Sequence, residues 1–231
     1  MFRLLTAVIF LLIIFQTYGQ IRVSEFEVLL QSRHVWRGEK LGTAPAIEPS
    51  LTVSAGRFSL NCWAALTPNN SYSEIDLIPS FQAGRFQLSL LDYYNPVPGE
   101  DNQFLNFREG MNRHSIELTI DNYSVDKRRM KWMIGTFLLG DQNEETGNPY
   151  FSTYAEINYP FTVFGIGIDT FTGLTPFRGY YARKFAVVNS GVSFSKELDL
   201  KLPFSIPLSL SFITNSYAKQ SFAIFAGGIA F

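Results

Sequence analysis

Ser221-Phe222-Ala223-Ile224-Phe225-Ala226-Gly227-Gly228-Ile229-Ala230-Phe231 closes the chain. Side chains alternate faces along an extended strand, so Ala223, Phe225, Gly227, Ile229 and Phe231 share one side. That side is apolar and ends on an aromatic ring. Phe222, Ile224 and Ala226 take the opposite side. The segment therefore assigns a solvent as well as a conformation. If the face carrying Phe225, Ile229 and Phe231 looks outward, its surroundings are lipid and the usual placement of apolar groups is inverted.

The start of the chain agrees with its end. Arg3, the apolar run Leu4 to Phe15 and the small-x-small site Thr17-Tyr18-Gly19 predict a secretory signal over residues 1–19, leaving 20–231 as the mature domain. The apolar run is shorter than the roughly 20 residues of a membrane-spanning helix. No cysteine follows it, which argues against a lipoprotein anchor. The single cysteine, Cys62, gives no disulfide framework and reads as a small packing residue. A net charge of −1 offers nothing to nucleic acid.

Hydrophobic residues make up 46% of the chain and aromatics 16%. Yet no mature stretch approaches the roughly 18 consecutive apolar residues of a spanning helix. The apolar residues are spread over short alternating runs, as a transmembrane barrel requires. Alternation predicts about twelve strands, near 24–36, 46–54, 57–66, 73–83, 85–94, 113–121, 129–140, 150–159, 161–171, 182–195, 204–213 and 221–231. The eleventh is the cleanest, with Phe204, Ile206, Leu208, Leu210 and Phe212 opposite Ser205, Ser209 and Ser211. The sixth sets Ile116, Leu118 and Ile120 against Glu117, Thr119 and Asp121.

Connections support the same reading. Longer ones fall at 37–45, 67–72, 95–112, 141–149, 172–181 and 214–219. Shorter ones fall at Ala55-Gly56, Gly84, 122–128, Tyr159-Pro160 and 196–203. Long extracellular loops alternating with short periplasmic turns are the pattern of outer-membrane barrels. An even strand number leaves both termini periplasmic. The expected fold is all-β, a transmembrane antiparallel up-and-down β-barrel embedded in outer-membrane lipids. Its closing strand, ending at Phe231, is the segment expected to meet the barrel-assembly machinery.

Twelve strands about 4.8 Å apart and tilted about 40° give a backbone radius of roughly 12 Å and a lumen of order 10 Å. Such a lumen is either a narrow pore for small solutes or a closed polar core. Parity places Glu27, Glu48, Glu74, Asp76, Glu117, Asp121, Glu156 and Asp169 inside, with Arg33, Arg57, Lys131 and Arg183 as the basic members. Glu25 falls on the same side. Acidic excess in a low-dielectric channel favours cations, whereas buried charges that pair would instead hold a closed barrel together.

Ser32-Arg33-His34-Val35-Trp36-Arg37-Gly38, Pro45 and Leu60-Asn61-Cys62-Trp63-Ala64-Ala65 together resemble the opening of the TorF-type (Gcw) porin family of Gram-negative outer membranes. Glu74-Ile75-Asp76-Leu77 is similar to that family's fourth strand, and Val188-Asn189-Ser190-Gly191-Val192-Ser193 to a late one. His34 stands where the family carries Tyr, and Asn61-Cys62 replaces its Gly-x before Trp. The resemblance implies a barrel and an outer-membrane location.

The functional expectation is a porin-like channel for passive diffusion of small polar solutes with slight cation preference, without catalytic residue, cofactor or metal. Two alternatives stay open. One is a lipid-modifying hydrolase using His34 or His114, which parity puts on the lipid side or at the outer rim; no G-x-S-x-G motif accompanies them. The other is a structural or adhesive barrel acting through the 95–112 loop. Asp141-Gln142-Asn143-Glu144-Glu145 and Lys127-Arg128-Arg129 read as solvated segments.

Overall fold

The computed structural model describes residues 20–107, 113–123, 130–143 and 146–231. The 1–19 signal, the Lys127-Arg128-Arg129 turn, Glu144-Glu145 and the end of the 95–112 loop lie outside the described residues.

Among the described residues fourteen strands follow in chain order: β1 (Arg22–Gln31), β2 (His34–Trp36), β3 (Glu39–Leu41), β4 (Ala46–Ala55), β5 (Phe58–Leu66), β6 (Ser73–Ala83), β7 (Phe86–Tyr94), β8 (His114–Asp121), β9 (Lys131–Leu139), β10 (Thr153–Val163), β11 (Ile166–Thr175), β12 (Ala186–Leu198), β13 (Ile206–Asn215) and β14 (Gln220–Ala230). Twelve of them pair antiparallel in chain order and close into one barrel, β1 meeting both β14 and β4. The closure register sets Val28 opposite Ile229 and Gln31 opposite Ala226. Closure leaves no free edge, so every wall strand finds partners on both sides.

The outer surface is apolar. Leu90, Leu118, Ile134, Ile157, Phe212 and Phe225 are exposed there, while Glu48, Asp76, Glu117, Thr119 and Asn189 are buried within. This inversion is what alternating strands produce when water lies inside and an apolar phase outside. At the short-turn end the outer aromatics form pairs around the rim: Phe58–Phe81 at 4.9 Å, Phe86–Trp132 at 5.8 Å and Tyr159–Phe161 at 6.2 Å. The terminal Phe231 joins them, 5.6 Å from Phe26 and 5.8 Å from Phe204, and its amide donates to the Phe26 carbonyl at 2.9 Å. Phe225 and Ile229 are exposed, whereas Ile224 and Ala226 are buried, as the parity of the closing segment requires.

Three sequence expectations change. The predicted 161–171 strand is displaced: β10 runs through Pro160 to Val163, and the turn is Phe164-Gly165, with φ of 50° and 74°. Two successive positive φ values match the right-handed twist of a tight hairpin, and Tyr159-Pro160 sits in paired strand opposite Asp169 and Thr170. The predicted 182–195 strand starts later, at Ala186, which leaves Arg183 exposed in the preceding loop. The predicted 24–36 strand breaks at Ser32-Arg33. Its last residues, together with the connection expected outside at 37–45, build a separate two-stranded hairpin, β2–β3.

Candidate functional site in the barrel lumen

The hairpin sits inside the barrel. Its turn, Arg37-Gly38, has φ of 48° and 78°, so both central residues are left-handed and the two strands stay tightly coiled. Gly38 is required on two counts. Its φ disfavours any side chain, and a Cβ there would collide with the Val188 carbonyl oxygen. The two-versus-one register between Gly173/Leu174 and Asn189/Val187 places a bulge in β12 at Val188, where the turn docks.

The hairpin meets the wall around most of its circumference. His34 bonds Glu48 of β4 through Nδ1 at 2.8 Å and lies 5.5 Å from both Trp63 and Tyr72. A carboxylate only accepts, so Nδ1 is the protonated nitrogen. Gln31 donates a second bond to Glu48 at 2.5 Å. Trp36 packs against Tyr93 of β7 at 5.7 Å and Phe137 of β9 at 6.3 Å. In the β11–β12 loop it meets Tyr180 at 6.2 Å and Tyr181 at 5.8 Å. Tyr180 donates to Glu39 at 2.9 Å, which ties the same loop to the return strand.

Arg37 is the centre of the lock. Its guanidinium makes a two-pronged pair with Glu117 of β8, Nη1–Oε1 at 2.6 Å and Nη2–Oε2 at 2.8 Å. Nη1 also donates to the Tyr181 hydroxyl, and Tyr93 donates to Glu117 Oε2 at 2.7 Å. The guanidinium lies over Trp36 at 4.6 Å and over Tyr154 at 4.5 Å. Planar stacking together with a fork is a task for Arg rather than Lys. The Glu117 side chain is 0% exposed and that of Arg37 8%. Small inner residues make this room: a side chain at Gly135 would strike Glu117, and one at Gly173 would strike Tyr154.

The hairpin occupies the lumen. On its long-loop side a space of about 180 Å³ is bounded by Trp36, Leu41, Glu74 and Tyr180, and a cavity of about 700 Å³ lies among the connecting loops, lined by Tyr150, Arg178, Arg183 and Tyr217 among others. On the short-turn side is one of about 560 Å³ bounded by Trp36, Trp63, Asp76, Asp121 and Glu156. A smaller space of about 220 Å³ next to it reaches Asn158 and Asp169.

The residues read from sequence as lumen-lining are distributed as follows. Glu48, Glu74, Asp76, Glu117 and Asp121 are buried inside. Glu27, Glu156, Asp169 and Lys131 are half-buried on the inward side. Glu74 accepts from Tyr72 and Asn95, both at 2.7 Å. Glu156 accepts from Tyr154 and, at 2.9 Å, from Asn189. Arg33 is half-buried in the bend between β1 and β2. Arg57 and Arg183 depart from expectation. Arg57 is exposed beside Gly56 in the turn, because β5 begins only at Phe58. Arg183 borders the long-loop cavity from an exposed loop. Trp36 and Arg37 were not among the expected residues. The readable signals for them are an Arg-Gly turn between two short alternating runs and glycines on the inner parity of β9, β11 and β12.

The histidines separate. His34 lies inside the barrel, not at the lipid side or rim, because the Ser32-Arg33 bend takes it out of the wall. His114 stays in the wall and faces outward, and it is 2% exposed. Its Nδ1 meets Asp92 at 2.7 Å and its Nε2 meets the Phe104 carbonyl at 2.7 Å, with Phe107 stacked at 4.1 Å. The 95–107 loop thus folds over the outside of the wall. Both ring nitrogens are engaged, and no hydroxyl or thiol is hydrogen-bonded to this pair among the described residues.

No family model and no curated protein matches the chain. Among solved structures it is similar to a porin, at 12% identity and a TM-score of 0.36, over 82% of this chain and 62% of the porin chain. The chain thus spans less than two thirds of that porin's length.

Proposed function

We propose that this protein is an outer-membrane channel for small polar solutes, weakly selective for cations and held closed by the β2–β3 hairpin. One observation carries the reading: the hairpin is docked inside the barrel rather than built into its wall, and it leaves a cavity of about 560 Å³ beneath it. A barrel needed only as a scaffold has no use for that volume, since an interior of closely packed side chains is more stable. The apolar belt and aromatic rim support insertion in lipid, with the termini on the periplasmic side. Acidic groups outnumber basic ones on the inner wall, and Arg37 is neutralised by Glu117, so the remaining field attracts cations.

The gate is a docked element with its own fold. Gln31 and Ala46 are register partners at its base, so a short Gly-Ser turn can replace Ser32 to Pro45 without disturbing the wall. In planar bilayers the full chain is expected to rest closed with brief openings. The shortened chain is expected to conduct steadily, with a reversal potential favouring potassium over chloride. A shortened barrel that folds and does not conduct refutes the channel; one that prefers chloride refutes the selectivity.

A further inference from the structure

Three residues share one row of the inner wall. Asp76 of β6 pairs in register with Trp63 of β5 on one side and Tyr93 of β7 on the other. Directly opposed residues bring their Cβ atoms within about 4.5–5.5 Å, so a carboxylate stands between two aromatic side chains. The hairpin supplies a roof. Trp36 meets Tyr93 edge-on at 5.7 Å, and His34 lies 5.5 Å from Trp63. All five residues border the short-turn cavity.

Asp76 is only 4% exposed, and its Oδ1 takes no hydrogen bond among the described residues. The donors nearest to it are committed elsewhere: Arg37 to Glu117, and His34 Nδ1 to Glu48. The neighbouring carboxylates differ in this respect, since Glu74 and Glu156 each accept two or more bonds. A buried carboxylate without a partner is costly, and a cation entering through the cavity would supply one.

We propose that Asp76, walled by Trp63 and Tyr93 and roofed by Trp36, is a binding site for a small organic ammonium ion. The carboxylate supplies the opposite charge. The ring faces supply the cation–π attraction by which aromatic cages select alkylammonium groups over hydrated metal ions. The cavity, about 560 Å³, admits a cation of choline's size. The site deepens the channel reading, on which it rests for its biological sense, by naming the class of solute.

The test uses the detergent-folded full chain with choline as probe and tryptophan fluorescence as readout. Trp36 and Trp63 border the site, while Trp132 lies on the outer rim. Choline is expected to give a saturable change that sodium chloride at equal ionic strength does not. Its neutral isostere, 3,3-dimethylbutan-1-ol, is expected to give none. Asp76→Asn is expected to weaken choline binding about tenfold or more, and Asp76→Glu to retain it. Trp63→Leu, read by calorimetry, is expected to weaken it severalfold and serves if Asp76→Asn does not fold. No saturable choline response in the full chain, or unchanged binding in the folded Asp76→Asn or Trp63→Leu protein, overturns the site. Binding in detergent needs no conductance. A barrel that binds choline but never conducts refutes the channel alone, and one that conducts without binding choline refutes the site alone.

Discussion

Removing the Arg37 side chain is the sharpest probe of the hairpin as a gate. Arg37→Ala deletes two charge-assisted bonds to Glu117, one to Tyr181 and stacking on Trp36 and Tyr154. It also leaves the Glu117 carboxylate, 0% exposed, with the Tyr93 hydroxyl as its one side-chain hydrogen-bond donor among the described residues. Breaking one side of a buried pair costs about 3–5 kcal/mol, or roughly 150- to 4,000-fold in the docking equilibrium at about 1.4 kcal/mol per decade. The wall is expected to survive, because its twelve strands pair independently of the hairpin. Single-channel recording should show the closed fraction collapse, with gel mobility of the folded barrel unchanged. Arg37→Lys should be intermediate, since it keeps the charge and loses the fork and the stacking. Arg37→Ala with Glu117→Gln should recover part of the loss, because the orphaned charge is gone. If the Arg37→Ala traces superimpose on those of the full chain, the lock does not hold the gate.

Further outcomes follow from single positions. Gly38→Val should undock the turn as effectively as losing Arg37, through its positive φ and the Val188 carbonyl, and should raise open time in the same recordings. Cys62 is exposed on the outer face of β5, so a lipid-soluble maleimide should label it in vesicles while a membrane-impermeant one should not. His114→Ala should free the 95–107 loop from the wall, at about 1–3 kcal/mol for the unpaired Asp92; faster protease cleavage there, with the barrel intact, would show it. Burial holds the Tyr181 hydroxyl above its ordinary value, Arg37 opposing and Glu117 adding to the shift. A raised folded value means the stabilisation is complete below the unfolded value near 10 and lost as pH rises through the folded one. Docking, read as closed fraction, should hold to about pH 10 and then weaken. Tyr181→Phe should shrink that alkaline limb and leave the part due to Tyr180, which donates to Glu39 and is likewise raised by burial.

Strand periodicity carried most of the wall. The 73–83 run coincides with β6, and the inward acids of β6 and β8 stand where alternation put them. The displaced β10–β11 turn shows the limit: Tyr159-Pro160 looks like a breaker, yet proline is tolerated here in a strand, and the positive φ at Phe164 carried no glycine signal of its own. His34 to Leu41 shows a deeper limit. Arg37-Gly38 signals a turn, but nothing local says whether that turn ends a wall strand or folds into the lumen. The difference lies in what faces it: Glu117, Tyr154, Tyr181 and the bulged Val188, which are 80 to 151 residues away from Arg37 in the chain. The amino-acid sequence by itself determined which side of each strand is apolar, because pleating couples side-chain order to face with a period of two. Only the tertiary structure decided that a hairpin occupies the lumen and which residues hold it there, because barrel closure alone brings β4, β8, β10 and β12 around it.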